Sequence, residues 1–242
     1  MEVRDGFIIG ISNYCDSWCT QCAFTARCQV FADLAEYEAT LDPGLKALVE
    51  APLLSAETPP PPPRWLQEQI DEMNEIASQP MPADEIERLR PKVAPEYGPI
   101  RRRSDEYCER VHAWLRRRTL GSADDPSDPR SVVAWFHTLI PAKVVRALKG
   151  LASDEPELRD WPADHDGSAK MALIGIDRSH AAWLEIVDRG LASRGEVEPF
   201  VAGLIWLGVE LEEVFPNARA FVRPAFDEPD EVARMVAEEG GL

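Results

Sequence analysis

The segment EVEPFVAGLIWLGVELEEVF, Glu196 to Phe215, decides the class of fold. It is apolar almost all round before it turns acidic at Glu210, Glu212 and Glu213, and Pro216 closes it. That pattern predicts one helix, and the central buried one. Ahead of it, SAKMALIGIDRSHAAWLEIVDR, Ser168 to Arg189, sets Leu173, Ile176, Trp183, Leu184 and Val187 along one helical stripe, and Gly190 follows as a stop. Further out, Val133, Phe136, Ile140 and Val144 mark a helix that Asp128-Pro129 opens and that runs to Lys149. Another runs from Ser104, a candidate N-cap, through Tyr107, Val111, Trp114 and Leu115 to Arg116–Arg118. Trp65 to Ser78 is a fifth. No alternating strand pattern of useful length follows residue 64. The expected fold is all-α: a helical bundle of about five helices behind a short N-terminal cysteine-rich metal-binding segment.

Five consecutive prolines, Pro59 to Pro63, have no amide hydrogens to donate and favour an extended conformation. They read as a linker at 59–63. It separates residues 1–58, the cysteine region and a following helix, from the bundle at 64–242. Hydrophobic residues make up 45% of the chain and charged residues 29%, enough apolar material for a core.

The formal charge of −17, from 43 acidic and 26 basic residues, would be repelled by phosphate backbones and anionic lipid surfaces. Nucleic acid and membrane are therefore excluded as expected partners, leaving an unidentified protein or small molecule. The apolar run Phe200 to Val209 is too short to span a bilayer, and Phe7 to Ile11 too short for a secretory signal. A cytoplasmic setting is expected. In a reducing compartment, clustered cysteines favour metal over disulfides.

Four of the five cysteines, Cys15, Cys19, Cys22 and Cys28, fall within fourteen residues as C-x3-C-x2-C-x5-C. Soft thiolates at that density bind zinc or an iron–sulfur cluster, and the metal keeps them deprotonated. Structural zinc commonly takes two separated C-x2-C pairs, whereas clusters are often wrapped by closely spaced cysteines. The two metals are near equal, with the cluster slightly ahead. Trp18 and Phe24 lie inside the motif, where they would shield such a site from water. Cys108, eighty residues beyond Cys28, is expected to stand outside it. The first three spacings resemble those of radical S-adenosylmethionine enzymes, but over eight residues only. That family implies a large β/α barrel, which the helical remainder of the chain excludes.

A second metal ion has a candidate site in Glu109, His112, His137, Asp177 and His180. Glu109-Arg-Val-His112 and Asp177-Arg-Ser-His180 each place a carboxylate and an imidazole one turn apart on one helix face. The arrangement resembles the Glu-x-x-His helices of ferritin-like di-iron bundles, with Glu68, Glu72, Glu75 or Glu210 as further donors. His180 shares the stripe of Ile176, Trp183 and Val187, so both pairs are expected to converge inside the bundle. Pro141, four residues after His137, is expected to kink that helix.

These readings define a cytosolic, metal-binding helical protein with a four-cysteine site, redox-linked if the metal is iron. A ferritin-like di-metal oxidoreductase is one alternative. A non-enzymatic interaction module with structural zinc is the other.

Overall fold

The computed structural model of the chain describes residues 2–41, 64–78, 82, 93–118, 125–152 and 164–239. Asp5 and Gly6, at φ 52° and 82°, form the two-residue turn that joins β1 (Val3–Arg4) to β2 (Phe7–Ile8), pairing Val3 with Ile8 and Arg4 with Phe7. An Asp-Gly pair suits such a turn because both positions require positive φ. Seven α-helices follow among the described residues: α1 (Gln29–Thr40), α2 (Arg64–Ser78), α3 (Gly98–Leu115), α4 (Pro129–Ala152), α5 (Asp164–Asp188), α6 (Arg194–Val214) and α7 (Pro229–Glu239). The protein is mostly helical, as its apolar periodicity requires. No described helix is long and apolar enough to cross a membrane. The proline run lies outside the described residues.

Helix α3 begins six residues before the expected N-cap, because Pro99 supplies the preset φ of a first turn. Ser104 is instead buried within the helix, its hydroxyl donating to the Arg101 carbonyl at 2.7 Å. Helix α4 continues through Pro141 to Ala152. Helix α5 ends as expected: Gly190, at φ 70°, donates to Val187 O while Leu191 donates to Ile186 O, both at 2.9 Å. These two bonds satisfy carbonyls that the helix end would otherwise leave unpaired.

The central helix is α5 and not α6. Helix α5 packs along α4 and also against α6, with Ala169, Met171, Ala172, Leu173, Ile176, Trp183 and Ile186 buried. Gly175 explains the close approach of α4, since a Cβ there would lie 3.0 Å from Ile140 and 3.2 Å from Phe136. Helix α6 buries one stripe, Val197, Phe200, Leu204, Leu207 and Leu211, and leaves Ile205 and Val209 about half exposed.

Aromatic rings knit α3, α5 and α6 together. The Trp183 ring stacks on Phe200 at 4.5 Å and meets the Trp114 ring edge-on at 4.8 Å. Its Nε1 hydrogen goes to the Tyr107 hydroxyl at 3.1 Å. Burial pushes the Tyr107 phenol up to about 12, so it stays neutral. Trp114 donates to Glu196 at 3.0 Å, and the Arg118 guanidinium lies 3.8 Å above the Trp114 ring while bonding the same carboxylate.

A smaller cluster, Ile8, Ile11 and Ala225, with Phe24, Cys28, Phe226 and Val232 against it, joins the hairpin to the C-terminal segment. Arg223 and Lys170 hold Asp227 there, at 2.8 and 2.7 Å. Burial alone would raise the Asp227 pKa, but these donors outweigh it and hold the carboxyl well below the usual range. The N-terminal segment also reaches α5 at Gly167, where a Cβ would fall 2.2 Å from the Tyr14 ring, itself 4.8 Å from Phe221. Gly167→Ala is therefore expected to destabilise the protein by about 1–3 kcal/mol, the usual range for overpacking, as read from the denaturant midpoint.

Candidate metal centre

Residues 11–28 carry little regular structure and are positioned by the helices beneath them. A 3-10 turn, Ile11–Tyr14, buries Ile11 and Tyr14. The Asn13 carbonyl accepts from the Lys143 ammonium at 3.0 Å, so an otherwise buried cation on α4 fixes the chain just before Cys15. Asp16 follows as a clamp with three bonds. Its carbonyl accepts from Trp135 Nε1 at 2.7 Å, one carboxylate oxygen from Arg178 at 2.7 Å, and the other from the Trp18 amide at 3.1 Å. Ser17 takes a left-handed φ of 58°, and the turn delivers Trp18 into the main core, 4% exposed. The indole of Trp18 stacks on Trp135 at 5.0 Å and 11°, with Phe136 edge-on at 6.3 Å.

Beyond Trp18 two short turns return the chain on itself. Cys19–Gln21 forms a 3-10 turn closed by the Cys22 amide on the Cys19 carbonyl at 3.1 Å. Thr25–Arg27 forms another, closed by the Cys28 amide on Thr25 O at 3.2 Å. Cys28 is then the N-cap residue of α1, its carbonyl accepting from Ala32 at 3.1 Å.

This path brings Cys15, Cys19, Cys22 and Cys28, all half-buried, to the wall of one small pocket of about 20 Å³, together with Ile11, Trp18, Phe31 and Phe226. The Cys15 thiol donates to Ser12 O at 3.3 Å, and the Phe24 amide donates to Cys22 Sγ at 3.4 Å. Burial raises the Cys19 pKa, and the neighbouring Cys15, Cys22 and Cys28 raise it further. Burial also raises Cys22, although the Phe24 amide opposes it. The four sulfurs therefore lie within electrostatic reach of one another. Among the described residues no three His, Cys, Asp or Glu side chains converge closely enough to hold one ion.

The expected second site is not assembled. Asp177 is exposed and bonded by Arg219, which also reaches Glu212 at 2.8 Å. Glu109 and His112 are exposed on α3, and His180 is half-buried on α5. Only His112 and His137 meet, their rings stacked at 5.9 Å and 23°. His137 is 8% exposed, and its Nδ1 donates to the Ala134 carbonyl at 2.6 Å. A carbonyl only accepts, so the neutral ring carries its proton on Nδ1 and leaves Nε2 an acceptor, buried without a partner among the described residues. Cys108, on α3, does not line the cysteine pocket.

The chain's periodicity did not point to Asp16, Arg178, Trp135 or Phe226 as parts of the site. The first is one of many acids, and the others lie more than a hundred residues from the cysteines. With this geometry in view, comparisons with protein families, with curated proteins and with solved structures give no match.

Two expected outcomes test the placement of these residues. Asp16→Ala removes two charge-assisted bonds and should cost about 1–3 kcal/mol, with faster labelling of Cys15 and Cys19 by a thiol reagent. An unchanged labelling rate would refute the clamp. His137 gives a pH signature: burial, then the neighbouring His112, lowers its pKa against the opposing bond to Ala134. The unfolded chain binds that proton more readily, so the stabilising contribution is present above about pH 6.5 and is lost as pH falls toward the folded value. His137→Gln should therefore flatten the decline in melting temperature below about pH 6.5 relative to the parent protein.

Proposed function

We propose that Cys15, Cys19, Cys22 and Cys28 form a single thiolate metal centre on the side of the helical bundle, occupied by an iron–sulfur cluster in preference to zinc. The observation that carries this reading is the common pocket. Four thiols spread over fourteen residues line it although two turns intervene, and three of them raise the pKa of the fourth. A cation answers the mutual repulsion of four thiolates, which an apolar wall of Ile11, Trp18, Phe31 and Phe226 otherwise makes costly.

The compact spacing favours a cluster over zinc. So does the indole of Trp18, which walls the pocket and whose Nε1 hydrogen is buried without an acceptor among the described residues. Inorganic sulfide is an acceptor of the kind this donor lacks. A cluster bound there supplies one-electron chemistry. The chain's own residues hold the thiolates, exclude water with Trp18 and Phe24, and donate from the Phe24 amide to Cys22 sulfur, a bond of the kind that tunes potential. The ferritin-like alternative loses its support, because Arg219 occupies Asp177.

Anaerobic purification tests the proposal. A brown protein absorbing near about 400 nm, with iron and acid-labile sulfide, is expected. Each single Cys→Ser change at the four positions should lower bound metal, while Cys108→Ser leaves it intact. Stoichiometric zinc in a colourless protein would replace the cluster by zinc, and unchanged metal content in all four variants would end the reading altogether.

A further inference from the structure

Beside the cysteine loop a second and larger cavity, a groove of about 610 Å³, opens between the loop and helices α4 and α5. Its volume falls in the range of small-molecule sites, which run from about 300 to 1,000 Å³. The walls include the partly exposed rings of Phe24 and Phe226, with Trp18 and Phe136 buried behind them, a surface suited to an apolar body.

Its charged groups decide the sign of the ligand. The Arg178 guanidinium lies 5.4 Å from the Phe136 ring centroid and Arg223 lies 5.1 Å from that of Phe226. Protein cations thus already hold the positions over these ring faces that a cationic ligand would seek. Both acids lining the groove are paired: Asp16 with Arg178 and the Trp18 amide, and Glu185 with Arg189. Arg223 is committed through Nε and Nη2 to Asp227 and through Nη1 to Met171 sulfur. Arg178 differs. It is about half exposed, and among the described residues only its Nη1 is bonded, so Nε and Nη2 retain donors in the planar fork that matches a carboxylate.

We infer that this groove binds a small planar organic anion, its acid group on Arg178 and its apolar body against the exposed parts of Phe24 and Phe226. Asp16, Trp18, Cys22 and Phe226 line this groove and the cysteine pocket alike, so the occupant touches the wall of the thiolate centre. That adjacency gains meaning from the metal reading, while binding itself does not depend on it.

Calorimetry with the full chain, its metal content measured on the same sample, separates the two. The probe is 2-naphthoate, with 2-naphthalenemethanol as its uncharged counterpart. Naphthoate should bind roughly tenfold more tightly than the alcohol, the preference a charge-assisted bond gives. Arg178→Met, which keeps the apolar stem, should erase that preference. Ala181→Trp, at an exposed groove position that takes no part in the Asp16 hydrogen bonds, should abolish binding of both probes and keeps the test open if Arg178→Met unfolds. Absence of naphthoate binding at millimolar concentration, equal affinity for the two probes, or unaltered binding by Ala181→Trp would overturn the inference, whatever metal the sample holds.

Discussion

The stacking of Trp18 on Trp135 is the contact on which the arrangement of the cysteine loop depends. A loop of this kind has too few apolar residues to order itself, and its thiols can be gathered only if one residue among them is driven into an existing core. An indole is the side chain with most surface to bury, about 150–250 Å² for an aromatic. Trp18 sits between the first and second cysteines, so its burial fixes the separation of Cys15 from Cys19. The polar bonds around it then set the orientation. Trp135 serves twice, as the ring beneath Trp18 and as donor to the Asp16 carbonyl, so removing it would free both the platform and the backbone.

The helices were legible where one physical factor governed them. The stripe through Ile176 and Trp183 and the stop at Gly190 depend on periodicity and on φ, both local properties. The central position of α5 was not legible, because the apolar content of α6 exceeds it. What admits a close neighbour is a small residue: Gly175 lets α4 approach, whereas Ile205 and Val209 of α6 stay at the surface. Pro99 outweighed Ser104 as the start of α3 because a serine hydroxyl also bonds readily to a carbonyl one turn back. Helix α7 had its signals, Pro229 followed by Asp230 and Glu231, in a segment too short for periodicity to be persuasive.

The site divides in the same way. Density alone singled out the four cysteines, a property of consecutive residues. The clamp that holds them was invisible, since Asp16 meets Arg178 across 162 residues. The carboxylate–histidine spacing is local for a related reason. An offset of three residues places Asp177 and His180 on neighbouring parts of a helix surface, but says nothing of a competing cation elsewhere in the chain. Arg219, 42 residues on, takes Asp177. In a chain of net charge −17, such assignments recur: Asp16, Asp177, Glu196 and Asp227 each have an arginine.

The bonds that seat the loop also impose an order of assembly. Asn13, Asp16 and Trp18 are made well before Trp135, Lys143 and Arg178, on which they rest. Between Cys28 and Arg178 lie about 150 residues, or on the order of 8–30 s of translation. During that interval the four thiols have no platform and are open to oxidation, mispairing and capture by stray metal. Only when α4 and α5 have docked does the loop close over its pocket. Selectivity for one metal would then be exercised by a folded surface, while the nascent chain depends on the reducing capacity of its surroundings.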